Sequence, residues 1–153
     1  MPQALSPSVC RTFRVAARVM SPDAAPSTED GWLECELLIA RRLADLPANR
    51  RRQMLGFVRA LPALAAALTG RRFARLSAVQ VLALLHRLEA SPVAALRRGV
   101  WGLRTLVFAG VYGRPETAIA TGWRPHDGGW EGRAAERVRT TPGGSPSPLR
   151  LLP

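Results

Sequence analysis

The sequence predicts an all-α fold, a small bundle of about five to six helices followed by a disordered tail. Three observations predict it. Apolar residues recur at helical spacing in successive windows. Ser, Pro and Gly punctuate those windows where helices start and stop. No stretch alternates apolar and polar residues as a half-buried strand does. The length of 153 residues, 47% of them hydrophobic, suffices for one domain with a sizeable core.

Ser8 caps a first helix reaching to Met20, with Val9, Phe13, Ala16 or Ala17 and Met20 along one side. Ser21-Pro22 ends it, and "DAAPSTEDG" reads as a loop. "WLECELLIARRLADL" is a second helix, its apolar side drawn through Leu33, Leu37, Ala40 and Leu43 or Ala44, and Pro47 breaks it. "ANRRRQMLGFVRALPALAAAL" is a third, with a kink expected near Pro62, where a backbone donor is missing. Gly70 fits the residue just past its end. Ser77 with Gln80 makes a capping-box pattern and opens a fourth helix to Ala90. Ser91-Pro92 starts a fifth, to Tyr112, and a short sixth follows Pro115.

From His126 onward the chain changes character. "HDGGWEGRAAERVRTTPGGSPSPLRLLP" is rich in Gly, Pro, Ser and Thr and holds no sustained period, so residues 126–153 read as the disordered tail and 1–125 as the helical domain. The tail carries 4 arginines against 3 carboxylates; the domain carries 18 against 8, or +10 of the net +11.

The fifth helix is the most informative. At about 100° per residue, Leu96, Val100, Leu103 and Val107 form one apolar stripe, and Trp101, Phe108 and Tyr112, with Thr105, form another about 140° away. Two stripes mean a central helix or a helix whose second face meets another chain. The reading favours a central helix. Arg97 and Arg104 fall between the stripes. Each must snorkel to water or find an acceptor, Glu36 and Glu89 being candidates within the chain.

Motifs for chemistry are not found. His86 and His126 are the only histidines, and His86 reads as a partly buried helix residue. Glu34 and Glu36 point in different directions on a helix. "GVYGRPE" matches neither a dinucleotide fingerprint nor a phosphate loop. Cys10 and Cys35 have no partner at metal-ligand spacing and read as free thiols. The expected catalytic, cofactor and metal sites of this chain are therefore none. All 22 basic residues are arginine, which points to coding bias and weakens a nucleic-acid reading. The clusters at 41–43, 49–53, 70–75 and 96–99 read first as solvated faces, with an anionic membrane or acidic partner as the sharper reading. No window approaches the ~20 nearly uncharged residues of a spanning helix, and the N-terminus shows no secretory pattern.

Three stretches carry a resemblance: "LPANRRRQMLGFVRAL", "GRRFARLSAVQVLALLHRLEASP" and "LRRGVWGLRTLVFAGVYGRPETAIATGW". Together with "FRVAARVMSPDAAPS" they resemble the gluconate 2-dehydrogenase subunit 3 family, small helical accessory subunits of GMC-type flavin dehydrogenases. The N-terminal region of long-chain alcohol oxidases is similar. The resemblance covers Arg11 to Pro125. The family's tandem aromatic stands here as Val111-Tyr112, and its final Gly-Tyr as Gly122-Trp123. The resemblance implies a non-catalytic subunit that binds no cofactor itself and docks on a catalytic partner holding FAD. It implies a docking element at Arg104, Tyr112, Arg114 and Trp123, although Tyr112 and Trp123 would also suit the closed end of the bundle itself. The twin-arginine export signal of many members is not seen in the N-terminal stretch. The expected location is cytoplasmic or peripheral membrane, with a periplasmic one only if an exported partner carries the chain. Two other readings are kept open: a basic helical module binding nucleic acid or an anionic membrane, and a small enzyme of unrecognised type.

Overall fold

The computed structural model describes residues 5–121. Among them are six α-helices, one 3-10 turn and no strand, so the all-α class is correct. The expected disordered tail and the boundary at 125/126 lie outside the described residues. The chain divides into a compact unit, Met1–Ala118, and a second, Ile119–Pro153.

Helix α1 spans Pro7–Met20 and starts earlier than Ser8 alone suggests, with Ser6 at the cap and Pro7 in the first turn, where its fixed φ suits a helix and its missing donor costs nothing. Helix α2 spans Glu29–Ala44. Thr28 caps it by accepting from the Gly31 amide at 3.2 Å, and Glu29 and Asp30 sit favourably at its positive end. Helix α3 runs Ala48–Thr69 without interruption past Pro62, and Gly70 closes it in the left-handed region at φ 69°. A 3-10 turn at Phe73–Arg75, which periodicity did not announce, tucks Phe73 into the core. Helix α4 spans Ala78–Glu89 and opens with the full capping box: the Ser77 hydroxyl accepts from the Gln80 amide at 3.3 Å, and the Ser77 amide donates to Gln80 Oε1 at 3.0 Å. Helix α5 spans Ala94–Tyr112 and α6 spans Pro115–Ala120.

Helix α5 is the axis of the compact unit. It packs against α1, α2, α3 and α4. Its Val100, Leu103, Val107 and Val111 are fully buried, facing Phe13 of α1, Ile39 of α2 and Leu61 of α3 in one cluster. Each such side chain contributes roughly 1.5–3 kcal/mol through burial. Three glycines of α5 set how closely the neighbours approach; at Gly102 a Cβ would lie 2.6 Å from Met54 Sδ of α3. A Cβ at Gly110 would lie 2.7 Å from Ile39 Cγ1 and 2.9 Å from Cys35 Sγ. One at Gly99 would lie 2.3 Å from the Phe57 ring.

The phase of α2 differs in part from the one expected: Ala40 and Leu43 are buried as expected, but the first half of the stripe is not. Its buried side is Trp32, Cys35, Ile39, Ala40 and Leu43, whereas Leu33 and Leu37 are 56% and 43% exposed. Both sets satisfy helical spacing. The close approach at Gly110 selects the one with Cys35 and Ile39.

A cationic clamp joins α1 to α2. Arg14 Nη1 and Nη2 donate to the two carboxylate oxygens of Glu29 at 2.8 and 2.6 Å, and its Nε donates to Glu36 Oε1 at 2.6 Å. The guanidinium carbons of Arg14 and Arg18 also lie 5.5 and 5.2 Å from the centroid of the buried Trp32 ring. The hydrogen bonds to Arg14 hold the Glu29 carboxyl below its ordinary value of 4.5. A depressed carboxylate stabilises the fold above its unfolded pKa, and that stabilisation is lost as pH falls through the folded value. The melting temperature should therefore be level above about pH 5 and decline below about pH 4. In Glu29→Gln the acid branch should be shallower; an unchanged branch would show that the clamp does not titrate.

Candidate docking surface

The outer face of α5 is the site that stands apart from the rest of the molecule. Val100, Leu103, Val107 and Val111 turn inward, which leaves Trp101, Thr105, Phe108 and Tyr112 outward on the opposite side. Trp101 is 67% exposed, Tyr112 47% and Phe108 38%. Phe108 and Tyr112 meet edge to face, with centroids 5.8 Å apart and ring planes at 76°, a geometry that fixes both rings. The Thr105 hydroxyl donates to the Trp101 carbonyl at 3.0 Å. The row is about 16 Å long at 1.5 Å per residue. A central helix was expected to bury both stripes. Helix α5 is central, but its four neighbours cover only the other sides, and the aromatic stripe stays in solvent.

Arginines frame the row. Arg104 lies beside it, half-buried, and forks onto Glu89 of α4 at 3.3 and 3.2 Å, one of the two acceptors expected for it. Arg97 is exposed and donates to the Ser91 and Pro92 carbonyls at 2.7 and 3.0 Å, tying the α4–α5 connection to α5. Arg98 is exposed. His86, expected to be partly buried, is 73% exposed and stands 3.8 Å from Glu89.

The four residues expected to dock a partner therefore fall into different places. Tyr112 is on the outer row, and Arg104 edges it. Trp123 lies outside the described residues. Arg114 is inside, at 5% exposure. Its Nη2 donates to the Ala24 carbonyl at 2.9 Å and the Thr117 hydroxyl at 3.1 Å, its Nε to the Val111 carbonyl at 3.4 Å, and its Nη1 to Glu116 Oε2 at 3.2 Å. It locks the α5–α6 turn onto the loop after α1 and presents almost no surface. Trp101 and Phe108, not singled out for docking, carry the surface instead. The signal for them was present in their spacing with Tyr112.

The rest of the described chain offers no comparable site. Among the described residues no group of three or more His, Cys, Asp or Glu is placed to hold a metal ion, and no helix is long and apolar enough to cross a membrane. An open cleft of about 280 Å³ between α1, α2 and α3 has an apolar floor at Val9, Leu43 and Leu55 and a rim of Arg51 and Arg59. A shallower groove along α1 exposes Cys10 next to Glu36. Burial, then the hydrogen bond with Glu36, pushes the Cys10 thiol up to about 11. Burial pushes Cys35 up to about 11 as well. Both thiols are protonated at neutral pH, the opposite of an activated nucleophile.

No family model, no curated protein and no solved structure matches this chain.

Proposed function

We propose that this chain is a non-catalytic subunit that docks through the outer face of α5 on a flavin-dependent dehydrogenase of the GMC type. The observation that carries the docking part is the row Trp101, Phe108, Tyr112, three large aromatics left in solvent on one side of the central helix. Aromatic side chains bring large area at low entropic cost, and together with arginine they dominate interface hot spots. The resemblance to the subunit 3 family supplies the nature of the partner, with FAD held on that partner and the products of catalysis made there. In this reading Arg104 and Tyr112 remain interface residues, Trp101 and Phe108 join them, and Arg114 holds the turn behind them.

The test is co-expression with the GMC-type flavoprotein encoded nearest to this gene. A yellow complex containing both chains is expected, and the isolated chain should carry no flavin absorbance. Trp101→Ala and Tyr112→Ala should each weaken the association by about 2 kcal/mol or more while leaving the melting of the free chain nearly unchanged. Association that is unaffected by both variants would sink the assignment of this face. The arginine clusters at Arg41-Arg42 and Arg50–Arg52 are exposed on either side of the α2–α3 connection and support the second reading, contact with an anionic surface. Charge reversal there would abolish binding to anionic vesicles in that case, and would leave the flavoprotein complex intact in ours.

A further inference from the structure

We propose that the cleft between α1, α2 and α3 binds a medium-chain carboxylate, its alkyl chain on the apolar floor and its head group at the arginine rim. The site shares no residue with the outer face of α5 and stands whatever that face docks on. The cleft holds about 280 Å³. Its floor is made of core residues, Val9 of α1 and Ala40 and Leu43 of α2, all buried. Leu55 of α3 adds a half-buried wall. The volume lies just below the ~300–1,000 Å³ of sites for drug-sized ligands. At ~30 Å³ per group, the space of one water molecule, it admits a single chain of roughly nine carbons.

Charge sets the head group. Arg51 and Arg59 stand about one turn to either side of Leu55 on α3, and both are exposed. Neither has a carboxylate partner among the described residues, and no carboxylate lines the cleft. Other arginines beside apolar surface are neutralised within the fold: Arg14 holds Glu29 and Glu36, and Arg104 holds Glu89. The groove along α1 likewise has Glu36 among its arginines. The start of α1 adds to the positive potential here. Ser6 and Val9 border the opening, no side chain caps the first turn, and no acidic residue stands in it. A guanidinium receives a carboxylate through two parallel N–H bonds, while the floor offers a chain only apolar contact. An alcohol of the same length forgoes the charge, a cationic amphiphile is repelled, and a short acid leaves the floor unfilled.

Isothermal titration of the full-length chain at pH 8 tests this with four probes: octanoate, butyrate, octanol and octyltrimethylammonium, each below its aggregation concentration. Octanoate should bind with a stoichiometry of about one, at least about tenfold more tightly than any of the other three. Ala44→Phe, which fills the cleft from an exposed lining position, should abolish that binding. Arg51→Gln with Arg59→Gln should weaken octanoate at least about tenfold and erase its advantage over octanol. Both variants should melt close to the parent, since all three positions are exposed. No binding of octanoate, equal binding of octanoate and octanol, or octanoate binding indifferent to Ala44→Phe overturns the proposal. So does binding to phosphatidylglycerol vesicles that depends on Arg51 and Arg59 but survives Ala44→Phe, with no octanoate bound; the arginines then serve a membrane surface and not the cleft.

Discussion

Replacing Gly110 with leucine is expected to destabilise the chain by about 3 kcal/mol, close to 10 °C in melting temperature. Helix propensity alone predicts the opposite sign. Leucine is favoured over glycine inside a helix by about 0.8 kcal/mol. Packing decides against it, because even the first added carbon would overlap Ile39 Cγ1 and Cys35 Sγ at 2.7 and 2.9 Å, in the contact that joins α2 to α5. Neither atom can yield into space, since Ile39 and Cys35 are each 1% exposed. Gly56 is the matched control. It lies in α3, and a Cβ there would meet nothing within 4 Å. Gly56→Ala should stabilise by up to about 1 kcal/mol, the backbone entropy that glycine forfeits on folding. Equal effects of the two substitutions would show that α2 and α5 are not held at the distance described.

Arg114→Ala should cost about 3 kcal/mol as well, by a different route. The guanidinium satisfies the Ala24 and Val111 carbonyls and the Thr117 hydroxyl inside the fold, and pairs with Glu116 at the surface. Truncation takes the Arg114 donor from the Ala24 carbonyl, while the Val111 carbonyl keeps the Thr117 hydroxyl at 2.9 Å, and leaves a space where a planar group lay. Arg114→Lys should recover little of the loss, because one ammonium cannot send donors in directions set by a fork. The measurement is chemical denaturation of both variants. If lysine restored full stability, a point charge beside Glu116 would be sufficient and the bonds to Ala24 and Val111 would be incidental. A large loss on Arg114→Ala also separates this residue from Trp101 and Tyr112, whose removal should spare folding.

What the sequence made legible was local. The capping box of Ser77 and Gln80, the left-handed Gly70 and the helix after Pro115 are written within a few residues of where they act. The phase of α2 was not. Leu33 and Leu37 match a helical stripe as well as Cys35 and Ile39 do, and hydrophobicity prefers the leucines. The choice between them is made by a glycine on another helix. Arg114 shows the same limit at longer range: its nearest acceptor, the Ala24 carbonyl at 2.9 Å, lies 90 positions away in sequence. The two stripes of α5 were visible as periodicity, but a single helix does not state which of its apolar faces has neighbours. The β-branched and leucine face went inward, where aliphatic residues interdigitate closely, and the larger rings stayed outside.

Two tryptophans among the described residues sit in opposite surroundings. Trp32 is 3% exposed beneath two guanidinium groups, and Trp101 is 67% exposed on the outer face of α5. A neutral quencher such as acrylamide should therefore reach one indole and not the other. With Trp123 and Trp130 replaced by phenylalanine, the emission of this chain would divide into a shielded, blue-shifted component and an accessible, red-shifted one. Covering the outer face would silence the quenching of the second component alone. The molecule thus carries a built-in optical reporter of its occupied state, with an internal reference in the same chain that needs no added dye.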